Sequence, residues 1–367
     1  MKKVLVLALL FCAISFCYAQ DKPVIIGYVG GYKGLISVNV SPNKLSIINY
    51  AFVDVRNNRA WLHREATDTI NFRHLNELKK INPALRVVIS IGGWTWSGKF
   101  SDAVLTDTAR LAFAASAADI VGKYGLDGVD IDWEYPGRPG LEGNIYRPDD
   151  KQNYTLMFRD IRHALDSLAK LTGKKYLVST AAGGFKNYLD NTEMGKASQY
   201  LDYINLMTYD FNEEAKIAGH HTNLYGSKLY QSKNNADDAV NAFIAAGVPA
   251  SKLVMGVAFY GKVYNLSTSA RSGIGDTILT RDRGRGYTMI RDSLVNQNGY
   301  IHYRDRKAKA SYLYNSSKKQ FITYDDEWSV KKKCQYVLSK KMGGVMFWEY
   351  SSDPKEYLLD EANAILR

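Results

Sequence analysis

The chain has 367 residues, 46% of them hydrophobic and 23% charged, with a formal net charge of +11 at pH 7. That length exceeds one small domain and suits a single barrel carrying an insertion, with ample apolar material for a core. The basic residues are dispersed rather than clustered, which argues against a nucleic-acid partner and fits a solvated surface suited to export or to an anionic cell envelope.

Lys2 and Lys3, an apolar run over residues 4–16 and the small Ala19 before Gln20 form the pattern of a signal peptide over residues 1–19. It predicts export, to the periplasm or the extracellular space. The apolar run is too short for a membrane span and no later stretch is long and apolar enough, so stable membrane insertion is not expected. Cys12 and Cys17 fall within the leader, which leaves Cys334 alone and excludes an intramolecular disulfide. A lipid anchor at Cys17 is disfavoured because bulky Phe16 stands where a small residue is usual.

Beyond the leader, runs rich in β-branched and aromatic residues recur at residues 24–29, 46–53, 86–91, 128–133, 176–182, 203–209, 253–259 and 345–350. Helical patterns separate them. Over residues 153–171, Leu156, Ile161, Leu165 and Leu168 repeat every three to five residues, and residues 106–124 carry a similar apolar period. Eight strands alternating with helices predict the α/β class, a (β/α)8 TIM barrel. The gap between strands seven and eight is longer than one helix requires. A small α+β insertion is therefore expected over residues 264–323, with the barrel formed by residues 20–263 and 324–367. Residues 281–285, RDRGR, read as an exposed basic loop, and residues 362–367 as the end of a helix.

The fourth run carries the chemistry. It reads DGVDIDWEYP over residues 127–136. Side chains alternate across a strand, so Asp130, Asp132 and Glu134 share one side and Val129, Ile131 and Trp133 the other. Apolar residues facing the helices leave the acids inside the barrel, rising towards the C-terminal end where barrel active sites lie. Buried carboxyls must be hydrogen-bonded, paired or protonated, and neighbouring ones share protons and raise one another's pKa. Glu134, nearest the mouth, is the natural proton donor. On composition alone the cluster also suits a divalent metal, although no nearby histidine or calcium-type loop supports it, and no cofactor is expected. His220 and His221, adjacent in a loop without placed acidic partners, read as ordinary polar residues.

DGVDIDWEYP resembles the Asp-x-x-Asp-x-Asp-x-Glu signature of glycoside hydrolase family 18, the bacterial and class V chitinases. SIGGW at residues 90–94, MTYD at 207–210 and GGVMFW at 343–348 resemble that family's third-strand, sixth-strand and last-strand motifs, in family order across nearly the whole mature chain. The resemblance implies a retaining hydrolase of β-1,4-linked N-acetylglucosamine, acting on chitin or its oligosaccharides as a monomer. Cleavage would be substrate-assisted, through an oxazolinium intermediate. Glu134 would be the general acid, Asp132 would orient the acetamido group, Asp130 would pair with Asp132, and Asp127 would support the start of the strand. Tyr209 would hydrogen-bond the acetamido oxygen, Met207 and Asp210 would line the same subsite, and Trp348 would form its floor. Tyr28, Phe52, Trp94 and Tyr135, at or near strand ends, would line the cleft, with Trp96 and tyrosines of the insertion as outer platforms. One departure stands out: the family commonly has an arginine where Lys262 follows Tyr260 and Gly261, and lysine cannot reproduce its planar fork. An endo-β-N-acetylglucosaminidase acting on N-glycans and a non-catalytic lectin stay open as alternatives. The retained Glu134 weighs against the second.

Overall fold

The computed structural model describes residues 22–268 and 272–367, so the leader lies outside the described residues. Its strands, in chain order, begin with β1 (Val24–Gly30), β2 (Ile47–Arg56), β3 (Arg59–Trp61), β4 (Arg86–Gly92), β5 (Gly128–Asp132), β6 (Leu177–Gly183), β7 (Tyr203–Met207) and β8 (Leu253–Ala258). They continue with β9 (Tyr260–Leu266), β10 (Ile278–Gly286), β11 (Ile301–Asp305), β12 (Ala310–Asn315), β13 (Gln320–Tyr324) and β14 (Gly344–Trp348). Eight of them, β1, β2, β4 to β8 and β14, pair in parallel, and β14 returns to β1 to close the TIM barrel. β3 is an antiparallel hairpin on β2, turned at Asn57 and Asn58, both in left-handed backbone.

Two apolar layers follow from strand alternation. The outward side chains, among them Val129, Ile131 and Trp133, join the large core beneath the helices, where the Trp133 ring stacks on Phe100 at 5.2 Å. The inward ones, including Ile26, Ile47, Ala51, Val88, Val254 and Met346, fill the barrel. The helix Asp107–Lys123 starts where Thr106 accepts a hydrogen bond from the Ala109 N–H, a local N-cap. In the helix Asp150–Thr172 the fully buried apolar side chains are Tyr154, Met157, Phe158, Ile161 and Leu165; the expected Leu156 lies off that line and is only half-buried. The last helix, Tyr357–Leu366, starts earlier than its sequence pattern indicated.

After β8 the chain builds a second, antiparallel sheet in the order β10-β9-β13-β12-β11. Tyr264, Leu266, Tyr312, Tyr314 and Phe321 form its own core with Ala218. These tyrosines are therefore packing residues and not sugar platforms. The RDRGR segment is not a loop: it lies within β10, an exposed edge strand, because residues 278–286 find hydrogen-bond partners along β9. Among the described residues no helix is long and apolar enough to cross a membrane.

Candidate active site

β5 ends at Asp132, so its inward carboxyls span the last sheet residues and the segment beyond. In parallel register Ser90 of β4 and Ser179 of β6 flank Asp130. Asp130 is fully buried, with Oδ2 accepting from Tyr28 OH at 3.0 Å and Ser90 Oγ at 2.7 Å, and Oδ1 from Ser179 Oγ at 2.6 Å and Asn205 Nδ2 at 3.2 Å. Burial raises its pKa, opposed by these donors. Two expectations change here. Tyr28 is 2% exposed and carries the acid from behind instead of facing the cleft. Asp130 spends its hydrogen bonds on four neutral donors, not on Asp132.

Asp132 is buried, and its Oδ1 has no hydrogen-bond partner. Desolvation, then the charges of Glu134 and Asp130, push its pKa well up. Glu134 is half-buried, and burial, assisted by Asp210, raises its carboxyl from 4.5 to about 7 despite a hydrogen bond from Tyr135. Near neutral pH the outermost acid is poised to hold a proton, as a general acid requires. Asp127, at the opposite end, accepts from Val87 N–H at 2.8 Å and pairs with Lys79, which anchors the start of the strand.

The other strand ends complete the cleft. Met207, Phe52, Tyr209 and Trp348 are half-buried and pack on the barrel's inner layer. Trp348 lies nearly parallel to Phe52, with centroids 5.5 Å apart, and to Tyr32 at 6.2 Å; Trp96 stands 5.9 Å from Phe52. Trp94 is 48% exposed and meets Tyr135 edge-on at 6.4 Å. The Tyr209 hydroxyl has a weak partner, Met346 Sδ at 3.8 Å, which leaves it available to a ligand. Tyr32 was not legible as a cleft residue, because it follows β1 in a short turn without strand alternation.

Asp210 lies past β7 in left-handed backbone. Its Oδ1 accepts from Tyr260 OH at 2.7 Å and lies 3.3 Å from His221 Nδ1 and 3.2 Å from Lys262 Nζ. Burial alone would raise its pKa, but His221, Lys262 and Tyr260 together lower it to about 2. The histidine pair is thus corrected: His221 faces Asp210, and buried His220 faces Asp305 at 3.2 Å, partners that only the fold brings near. Lys262 also reaches Glu213 at 2.5 Å, spanning two carboxylates of one loop where a fork would grip one. Among the described residues no cluster of three or more histidine, cysteine or acidic side chains could hold a metal ion.

The closed parallel barrel, with Glu134 raised to about 7 among half-buried aromatic side chains at the strand ends, has the build of a glycosidase barrel. Residues 24–353 match the model of Glycosyl hydrolases family 18, and the chain belongs to that family. It is 43% identical to Chitinase A1 of Niallia circulans over 311 residues, 81% of this chain and 44% of that protein. It is 37% identical to Endochitinase 1 of Metarhizium robertsii, covering 77% of this chain and 65% of that one. The chain therefore spans about half to two thirds of these relatives' length. A solved family 18 N-acetylglucosaminidase from Paenibacillus barengoltzii superposes with a TM-score of 0.87 at 38% identity, over 94% of this chain and 100% of that one.

Proposed function

We propose that the protein is a retaining glycoside hydrolase that cleaves β-1,4-linked N-acetylglucosamine in chitin or chitooligosaccharides. The observation that carries this reading is the pairing of Glu134, shifted to about 7, with buried Asp132, whose Oδ1 lacks a partner. Glu134 gives its proton to the glycosidic oxygen as the bond to the anomeric carbon breaks. The carbonyl oxygen of the sugar's own acetamido group forms the new bond to that carbon, and Asp132 accepts the acetamido N–H as positive charge develops. Tyr209 donates to the acetamido oxygen, and Trp348 supports the sugar from below. Water then opens the oxazolinium ring, losing a proton to the Glu134 carboxylate, and configuration at the anomeric carbon is retained.

Relatives named as chitinases support the substrate class. Likeness to an N-acetylglucosaminidase over that chain's full length favours a second reading, removal of single sugars from chain ends. A time course on chitohexaose with anomer analysis tests both: β-anomers first support retention, while α-anomers first overturn the mechanism. Monosaccharide as the sole early product selects the second reading. Selective release of an N-glycan from a high-mannose glycoprotein would overturn the substrate assignment. Export, supported by the basic and apolar pattern of residues 1–19, and a monomeric state belong to the same proposal.

A further inference from the structure

Glu134 lies beyond the sheet. β5 ends at Asp132, so neither the N–H nor the C=O of Glu134 has a ladder partner, and buried backbone groups in that position must find others. Two side chains from different loops supply them. Ser97 is 1% exposed, and its Oγ accepts the Glu134 N–H at 2.8 Å. The same hydroxyl lies 3.1 Å from the Asp132 carbonyl oxygen and 2.9 Å from that of Gly93, between which its one proton is shared. On the other side Asn144 Nδ2 donates to the Glu134 carbonyl oxygen at 3.3 Å. Close packing reinforces both contacts. Gly92 and Gly93 adopt positive φ and bring the end of β4 against the Asp132 carbonyl, where a Cβ on Gly92 would collide. A Cβ on Gly140 would strike the Glu134 carbonyl oxygen in the same way.

We infer that Ser97 and Asn144 are positioning residues for the general acid, clamping the peptide units on both sides of Glu134 so that its carboxyl is aimed at the glycosidic oxygen. The inference rests on the reading of Glu134 as that acid. Each acts through the Glu134 backbone. A misplacement near 1 Å costs on the order of 100-fold in rate, and in kcat/KM, which covers the steps up to departure of the leaving group, the loss falls on proton donation.

That restriction gives the test. A chitooligosaccharide must have its leaving oxygen protonated, whereas a dinitrophenyl chitobioside releases dinitrophenolate, a leaving group stable enough to depart without an acid. With the full chain, S97A and N144A are expected to lower kcat/KM on chitohexaose by roughly 10- to 100-fold, mostly in kcat, and on the dinitrophenyl substrate by less than about 3-fold. Thermal melting of each variant verifies the fold, and N144A, at a half-buried loop position, carries the test if S97A does not fold. Equal losses on both substrates, or none on either, overturn the inference. E134Q is run beside them. If it shows the selective loss and the other two do not, only the clamp is refuted; if E134Q turns over chitohexaose normally, the acid assignment falls and the clamp with it.

Discussion

Glu134 carries two measurable consequences of its shifted carboxyl. E134Q should lower kcat on chitohexaose by at least 10²- to 10⁴-fold, roughly the contribution of general acid catalysis, while calorimetry still detects oligosaccharide binding. Normal turnover by that variant would remove the acid from the mechanism. The pH profile follows from the sign of the shift. The carboxyl is protonated below about 7 and ionises as pH rises through it, so kcat/KM should fall on the alkaline side with a limb near 7. The same group contributes stability below its ordinary 4.5 that is lost as pH rises through about 7. Because the Asp210 charge helps to raise Glu134, D210N should move the alkaline limb to lower pH, and an unmoved limb would show that burial alone sets it. Activity should survive exhaustive chelation, since every step uses carboxyl, phenol and substrate groups; loss reversed by a divalent ion would point to the metal alternative.

At the scale of single elements, β5 shows what can be read locally and what cannot. Its two faces follow from alternation between neighbours in the chain, and the structure places Trp133 in the outer core and Asp130 inside. W133A should cost about 3–5 kcal/mol, because a fully buried indole stacked on Phe100 leaves a cavity; urea unfolding at neutral pH would measure it. The cradle of Asp130 was not legible in the same way. Its donors come from 40 residues before, 49 after, 75 after and 102 before it, and only strand register assembles them. Tyr28 illustrates the error that results. Its strand-end position is correct for a cleft residue, but a hydroxyl within reach of a buried carboxylate is drawn inward to satisfy it. The partners of His221 and His220 were hidden for the same reason, as Asp210 and Asp305 lie 11 and 85 residues away.

Across the whole molecule, the barrel and the second sheet are joined by a buried charge. Lys333, in the helix Glu327–Ser339, and Asp325, just past β13, are both fully buried and 2.7 Å apart. Asp325 also accepts from Ala258 N–H at the end of β8 at 3.1 Å and from Thr222 Oγ1 at 2.9 Å, so one carboxylate ties barrel, insertion and loop together. K333M should destabilise the protein by about 3–5 kcal/mol by stranding that carboxylate. Adding D325N should recover part of the loss, and no recovery would place the cost of K333M in packing instead of charge. The existence of the insertion was legible from the length of the gap between barrel strands. The strand within RDRGR was not, because its charged side chains follow no apolar period and its pairing depends on β9. That edge has a colloidal consequence. β10 is an edge strand, although its Ile278 N–H already donates to the Lys216 carbonyl at 2.8 Å, and such an edge invites the β10 of another molecule to add on. Arg281, Arg283 and Arg285 would then be brought against their own copies, and guanidinium repulsion would oppose that contact. Because salt screens exposed charge within about 10 Å at 0.1 M, self-association should be held off most firmly at low ionic strength, the reverse of what a hydrophobic edge would show.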